Sequence, residues 1–250
     1  MTAGYTEFEF DLPDALLTHL IKVLDGLEIA PLHINAVSAV PEAQGVYQLF
    51  LDSELVYIGK TDAEAGLRNR LNRHATKIQH RLNLDPTRVS FRAVRIFVFT
   101  AIDLETQLIR HYARDGTRWN NRGFGANDPG RRRDRTRVRD TNFDALYPID
   151  PDRRLDVDFA GATDAGQVVT RLKQALPYTF RFETQGRRPA EILAATKVRI
   201  PDGVNTARGV LAELVRQLPP GWQATGFLHQ LILYEERTDD YPDAVVIARS

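Results

Sequence analysis

Residues 45–60 read GVYQLFLDSELVYIGK, a stretch whose pattern predicts the centre of the fold. Aliphatic, aromatic and β-branched residues dominate two short runs, 46–51 and 55–58, and the polar residues 52–54 separate them. Apolar runs of this length on either side of a polar turn are typical of a β-hairpin. The sequence therefore predicts two adjacent antiparallel strands here.

Two tyrosines stand on this hairpin, Tyr47 near the start of the first strand and Tyr57 near the end of the second. Gly59 is expected to end the second strand, and Lys60 follows it directly. Tyrosines on neighbouring strands often do no more than pack against each other. A functional role for this pair depends on which residues the rest of the chain brings to it.

The composition is typical of a soluble globular protein. The 250 residues are 43% hydrophobic and 26% charged, which fits one large or two ordinary domains. The chain has no cysteine, which excludes disulfides and thiolate metal sites and suits a reducing cytoplasm. No apolar run approaches the roughly 18 residues that span a bilayer, so we expect no membrane association.

Charge is unevenly distributed although the net charge is zero. Residues 60–140 hold 19 Lys and Arg against 9 Asp and Glu, a net charge of +10, so the remainder carries −10. A basic middle favours a polyanion as partner, because the local charge matters more than the total. A solvated basic face would have the same composition, so charge alone does not decide between the two.

Residues 65–79 predict a helix with one apolar face, made by Leu67, Leu71, Ala75 and Ile78. The remaining surface is basic and includes Arg68, Arg70, Arg73, His74 and Lys77. Arg70 and His74 are four residues apart and are therefore neighbours on one side of the helix. Such a helix could face phosphates, or it could be an ordinary amphipathic helix with a solvated side.

Residues 91–99, FRAVRIFVF, are the strongest strand signal, and the apolar spacing over 101–113 predicts the next helix. Glu105 lies in its first turn, where the helix dipole alone favours a carboxylate. The loop that follows, 118–134, is rich in Gly, Pro and Asn and is expected to be irregular, with Trp119 as its anchor. It ends in an arginine run suited to phosphates or to solvent: Arg131, Arg132, Arg133, Arg135, Arg137 and Arg139.

We divide the chain into an acidic N-terminal extension (1–43), a central domain (44–148) and a C-terminal domain (149–250). The extension is predicted to hold a short strand at 8–10 and a helix capped by Asp11 or Asp14.

The C-terminal domain contains a weak internal similarity, in which residues 165–177 match residues 207–219. Each copy predicts a helix followed by a strand, at 178–182 and 227–234, with His229 as a satisfied core histidine. The predicted fold class is α+β.

The order of these parts resembles the GIY-YIG nuclease superfamily. Its two name-giving triplets appear as residues 45–47 and 57–59, with Val46 in place of isoleucine. Arg70, Glu105 and Asn120 follow in the family's order, and the stretch 119–130 with His74 resembles the branch that contains Type II restriction endonucleases. The resemblance covers about residues 44–135.

This resemblance implies a small mixed sheet flanked by helices and a shared set of catalytic residues: Tyr47, Tyr57, Lys60, Arg70, His74, Glu105 and Asn120, with Asn121 as an alternative to Asn120. Tyr47 would activate water, with His74, Lys60 or Arg70 as the neighbour that makes this feasible near neutral pH. Glu105 would hold one Mg²⁺ or Mn²⁺, and the products would carry 5′-phosphate and 3′-hydroxyl ends.

The expected function is a DNA endonuclease of a restriction system, acting as a homodimer on double-stranded DNA, with a cognate methyltransferase of the same system as a candidate partner. The expected DNA contacts are Arg68, Arg73, Lys77, Arg122, Arg131, Arg132 and Arg133. Two alternatives stay open, a repair or mobile-element nuclease and a non-catalytic DNA-binding module.

Overall fold

The structure is a computed structural model that describes residues 4–7, 11–97, 103–113, 117–125, 134–183, 187–236 and 240–250. The chain forms two compact units. The first comprises Met1–Ala75 and Pro86–Asn120, and the second comprises Thr76–Asp85 and Asn121–Ser250. Each unit combines helices with a four-stranded sheet, so the fold class is α+β, as the sequence predicts.

The first unit contains α1 (Leu12–Gly26), β1 (Ala30–Pro31), α2 (Ile34–Val37), β2 (Gly45–Leu51), β3 (Glu54–Thr61), α3 (Leu67–Lys77, whose last two residues count with the second unit), β4 (Val89–Arg95) and α4 (Leu104–Tyr112). The strand order is β1-β4-β2-β3, and every described pair is antiparallel. The expected mixed sheet is therefore wrong for this unit. The chain from β3 through α3 to β4 does join two parallel strands, but β2 lies between them.

The hairpin turns at Asp52 and Ser53, both with positive φ, 52° and 67°. Two left-handed residues make the type of turn whose twist matches that of the flanking strands. β3 then continues to Thr61, so the predicted strand end at Gly59 is wrong.

Helix α1 packs against the sheet and α4 of the first unit. Leu20 and Leu24 of α1 share a buried cluster with Val46, Ile58 and two leucines of α4, Leu104 and Leu108. Asp11 caps α1 by accepting a hydrogen bond from the amide of Asp14 at 2.9 Å. The helix predicted within the N-terminal extension thus packs on the core of the first unit. The strand expected at 8–10 lies outside the described residues.

The second unit contains α5 (Phe143–Leu146), α6 (Ala165–Ala175), β5 (Thr179–Phe182), α7 (Arg187–Ala195), α8 (Ala207–Gln217), β6 (Trp222–Phe227), β7 (Gln230–Glu235) and β8 (Ala244–Arg249). Its sheet has the order β5-β7-β6-β8 and is mixed, because β5 and β7 are parallel. The predicted strand at 227–234 is two strands joined by a turn, and His229 lies in that turn instead of in a strand.

Within the second unit, Arg81 connects the segment 76–85 to residues 144–147. Arg81 forms a buried ion pair with Asp144 at 2.9 Å and donates to the carbonyl of Tyr147, also at 2.9 Å. The amide of Leu82 donates to the carbonyl of Pro148, and that of Asp150 to the carbonyl of His80. The compact units therefore divide the chain elsewhere than at 148. In the described part of the chain, no helix is both long enough and apolar enough to cross a membrane.

Candidate active site

The two tyrosines of the hairpin lie on the same face of the sheet. Tyr47 is directly opposite Gly59, and Tyr57 is directly opposite Leu49. Opposed residues, and residues two apart on a strand, point to the same side. The two phenol rings are 6.0 Å apart between centroids. A β-carbon at Gly59 would overlap the ring of Tyr47, so glycine makes room for the phenol without interrupting the strand.

α3 packs on this face and supplies two polar side chains. Leu67 and Leu71 are buried, and a β-carbon at Gly45 would come within 2.7 Å of Leu67 Cδ1. Both motif glycines thus permit close approaches. One turn further along the helix, His74 is buried and its Nε2 is 2.8 Å from the hydroxyl of Tyr47. The imidazole is 5.5 Å from each phenol ring, so three rings form one cluster.

Arg70 lies one turn before His74, and its guanidinium interacts with Tyr47, Tyr57 and Glu105. Burial works to lower the pKa of Arg70, but its interactions with these three groups outweigh burial and raise it. Its Nε is buried and has no hydrogen-bond partner among the described residues. The arginine is therefore held charged beside the phenols with a donor still available.

Burial dominates the electrostatics of both phenols. It raises the pKa of Tyr47 well above the usual range, and the neighbouring Tyr57 raises it further, whereas Arg70 lowers it. Burial also raises the pKa of Tyr57, and the negative charge of Glu105 raises it further. Both hydroxyls are therefore protonated near neutral pH, and Tyr47 needs a proton acceptor before it can act as a base. His74 Nε2 lies at the right distance to be that acceptor.

Glu105 belongs to α4, which packs on the face of the sheet opposite to the phenols. Leu104 and Leu108 of α4 pack with Ile58, on the face of the sheet opposite to Tyr57. Glu105 itself lies at the start of α4 beside β3, and its charge acts on both Tyr57 and Arg70. Glu105 is thus close enough to Tyr57 and Arg70 for its charge to act on both.

The Glu105 carboxylate is half-buried. Burial raises its pKa, and the charge of Lys60 opposes this effect. No described cation forms an ion pair with Glu105. A buried carboxylate without an ion-pair partner is unfavourable in its charged form, so a cation bound there would be stabilising.

Lys60 lies beside Asp103, whereas the sequence led us to consider it as a neighbour of Tyr47. Its Nζ donates to Asp103 Oδ1 at 2.8 Å, and Thr106 Oγ1 donates to Asp103 Oδ2 at 2.5 Å. The hydrogen bonds from Lys60 and Thr106 lower the pKa of Asp103 to about 2. Lys60 follows Gly59 and therefore points away from Tyr47. Of the three neighbours considered for Tyr47, the structure places His74 and Arg70 beside it, and it places Lys60 beside Asp103.

Asn120 completes the edge of the sheet. Its Oδ1 accepts from the amide of Ile58 at 2.9 Å, and its Nδ2 donates to the carbonyl of Ile58 at 2.8 Å. Thr117 Oγ1 also donates to Asn120 Oδ1, and the amide of the buried Trp119 donates to Val56. Asn120 thus fixes β3 between Tyr57 and Gly59. Asn121 is exposed, so the structure distinguishes the two asparagines by their contacts.

The basic residues expected to contact DNA have different surroundings. Arg73 is exposed and acts electrostatically on Tyr57. Arg68 donates to the carbonyl of Val40 at 2.7 Å and pairs with Glu42 at 3.4 Å. In the second unit, Lys77 donates to the carbonyls of Gly123 and Phe124 at 3.0 and 2.6 Å, a structural use of its ammonium. Arg122 is exposed, and residues 131–133 lie outside the described residues.

Two contacts of the site were not foreseen from the sequence, the hydrogen bond of Thr117 to Asn120 and the pairing of Asp103 with Lys60. A threonine three residues before an asparagine is a weak signal of a local turn. Among the described residues, no three or more His, Cys, Asp or Glu side chains form a group suited to hold a metal ion. Comparison with models of protein families finds no matching family, and comparison with curated protein sequences finds no match either.

Proposed function

We propose that this protein is a metal-dependent DNA endonuclease of the GIY-YIG type, most specifically a restriction endonuclease. One observation carries the proposal: Tyr47, Tyr57 and His74 form a cluster of rings, and Arg70 and Glu105 interact electrostatically with it, although up to 58 residues separate these positions in the chain. Packing alone does not explain why an arginine and a carboxylate, both partly buried, approach two phenols. Hydrolysis of a phosphodiester requires activation of water and stabilisation of negative charge, and these groups can supply both.

Arg70 would bind the phosphate. A guanidinium forks onto two nonbridging oxygens, and it stabilises the extra negative charge that develops as water attacks. Arg70 is only partly buried, so part of the residue is open to an approaching phosphate. Arg73, which is exposed on the same helix, would add a second positive charge on the approach to the site.

Tyr47 and His74 would share the removal of the proton from water. The water oxygen forms a bond to phosphorus while the bond between phosphorus and the 3′ oxygen breaks. The proton of the water passes to the Tyr47 oxygen as the phenol proton passes to His74 Nε2. The 3′ oxygen takes a proton from solvent, which leaves a 3′-hydroxyl and a 5′-phosphate. Tyr57 would position the water or the phosphate.

Glu105 fits a single divalent ion by the chemistry of its donors. Its oxygens are hard ligands that suit Mg²⁺ or Mn²⁺, and Asp103 is already paired with Lys60. When bound, such an ion supplies positive charge to the phosphate oxygens. The rest of its shell would be water and phosphate, which agrees with one carboxylate and one ion.

Cleavage of plasmid DNA with Mg²⁺ tests the proposal. We expect cutting by the native chain, and a fall of about 100-fold or more in Tyr47→Phe because the general base is lost. Glu105→Ala should be inactive. Absence of cleavage on any DNA tried, or full activity of both variants, would refute the proposal. Discrete fragments would favour restriction, whereas cutting only at flaps or nicks would favour repair.

A restriction enzyme that cuts both strands of a symmetric site is expected to act as a homodimer. Sedimentation of the protein with and without double-stranded DNA tests this, and a monomer in both conditions would count against it. A methyltransferase gene next to the gene for this protein would support the restriction role, because it would protect the cell's own DNA in the cytoplasm from cleavage. Sequencing the cut ends would identify the recognition site and the end chemistry.

A further inference from the structure

An arginine and an exposed phenylalanine are stacked on the face that carries the phenols. Arg95 is directly opposite Gly45, two residues from Tyr47 along β2, so its side chain is on the same face as Tyr47. Phe97 follows two residues later. The guanidinium of Arg95 is 4.3 Å from the centre of the Phe97 ring.

Phe97 is unusually exposed for its type. Its relative exposure is 78%, the highest of the large hydrophobic residues that the structure describes. The backbone around it is held in place, because the amide of Ile96 donates to the carbonyl of Gln44 at 3.1 Å and the side chain of Gln44 donates back at 3.0 Å. An aromatic ring is thus presented to solvent at a defined place beside a positive charge.

We propose that Arg95 and Phe97 form a contact for duplex DNA, with Arg95 on a backbone phosphate and Phe97 against a base or sugar beside it. The inference rests on the proposed function, since it extends the same site. At about 3.3 Å per residue of strand, Arg95 begins about 7 Å along β4 from the level of Tyr47, and Phe97, two residues beyond the end of β4, lies at most about 13 Å from that level along the chain direction. One strand of DNA rises about 3.4 Å per nucleotide, so the contact falls within about four nucleotides of the cleaved bond.

Charge complementarity argues for DNA as the occupant. Phosphates attract Arg95, and an exposed phenylalanine can wedge against a base step or a sugar of a duplex, whereas a protein partner would require a larger apolar surface than one ring. The stacked guanidinium keeps Phe97 in place before binding, which lowers the ordering cost on binding.

Tryptophan fluorescence tests the contact directly. The two native tryptophans, Trp119 and Trp222, are buried, so Phe97→Trp in the inactive Glu105→Ala background adds an exposed reporter. We expect mixed-sequence duplex fragments to quench it. Ile34→Trp is the matched control, because Ile34 is 64% exposed in the same unit and follows β1, which pairs with the other end of β4. No quenching is expected there.

Binding measurements complete the test. Phe97→Ala should weaken duplex binding about tenfold without changing the melting temperature. Arg95→Gln should reduce the slope of log affinity against log salt by about one. Unchanged affinity and no quenching, in a protein whose native form still cuts DNA, would overturn this inference and leave the proposed function intact. Quenching by single strands alone would also overturn it. If the native chain neither binds nor cuts DNA, the proposed function fails as well.

Discussion

Gly59 is the position at which the site tolerates least change, because the ring of Tyr47 lies where a β-carbon would be. We predict that Gly59→Ala displaces the phenol and lowers the cleavage rate by about 100-fold, since misplacing a reacting group by about 1 Å can have that effect. Cleavage rates under single-turnover conditions provide the measurement. Gly26→Ala, at a position with no atom within 4 Å of the added carbon, is the control and should keep full activity.

We predict that Glu105 lowers the stability of the folded protein at neutral pH although it is needed for cleavage. Burial raises its pKa in the folded state, so the folded protein binds a proton more tightly there than the unfolded chain does. Stability therefore falls as pH rises from the unfolded pKa, about 4.3, through the folded one.

We accordingly predict that Glu105→Gln melts at a higher temperature than the native protein at pH 7, and that the gap narrows as the pH falls towards 4. The variant should be inactive at every pH. Thermal melts without metal measure the effect, because a bound ion would stabilise only the native protein. A lower melting temperature for Glu105→Gln at pH 7 would contradict the prediction.

We predict that the ion pair between Lys60 and Asp103 influences the Mg²⁺ concentration at which cleavage is half-saturated. Asp103→Asn leaves the positive charge of Lys60 uncompensated near Glu105 and should raise the half-saturating Mg²⁺ concentration by about threefold, the size of a solvent-screened interaction between charges near a protein surface. Lys60→Gln should lower it by a similar factor. The double variant should be close to the native value. Titrations of cleavage rate against Mg²⁺ measure all four proteins, and additive shifts of the same sign would refute the charge-balance argument.

Among the elements of secondary structure, β3 depends most on a single side chain. Asn120 satisfies both the amide and the carbonyl of Ile58. We predict that Asn120→Ala lowers the free energy of unfolding by about 2 kcal/mol, because buried backbone groups lose their partner. Asn121→Gly is the control, since Asn121 has a φ of 58° and glycine accepts that conformation readily. Denaturant unfolding compares the two variants.

Periodicity predicted the elements in which one face is clearly apolar. The stripe of α3 is buried as expected, and the repeat at 165 and 207 reflects two helices that begin alike, capped by Asp164 and Thr206. The turn between β6 and β7 could not be foreseen, because Leu228 and His229 contain none of the usual turn residues.

Within the site, spacing on one helix predicted that Arg70 and His74 are neighbours. It could not predict the partners of residues from other elements. The pairing of Lys60 with Asp103 depends on where α4 begins relative to the edge of the sheet, and this is a tertiary property. The continuation of β3 through Gly59 likewise depends on the ring that occupies the space above it.

For the protein as a whole, the boundary at 148 expected from the sequence can be tested by truncation. A protein that ends at Pro148 would lose the hydrogen bonds from Asp150 to His80 and from Ile149 to Leu228. We predict that its residues 134–148 are digested rapidly by protease, whereas the full chain protects them. Limited proteolysis followed by mass spectrometry measures this. A truncated protein that is equally resistant would restore the boundary at 148.

The contacts of Trp119 and Asn120 with β3 have a consequence for assembly. An outer strand normally offers a row of backbone donors and acceptors to which a strand from another molecule can attach. Here the carbonyl of Val56 and both polar groups of Ile58 already have partners within the chain. We therefore do not expect a second copy to extend the sheet at this edge, and a homodimer would form elsewhere on the protein. The same contacts hinder fibrous aggregation of the apolar hairpin, because they occupy backbone groups to which a strand of another molecule would attach.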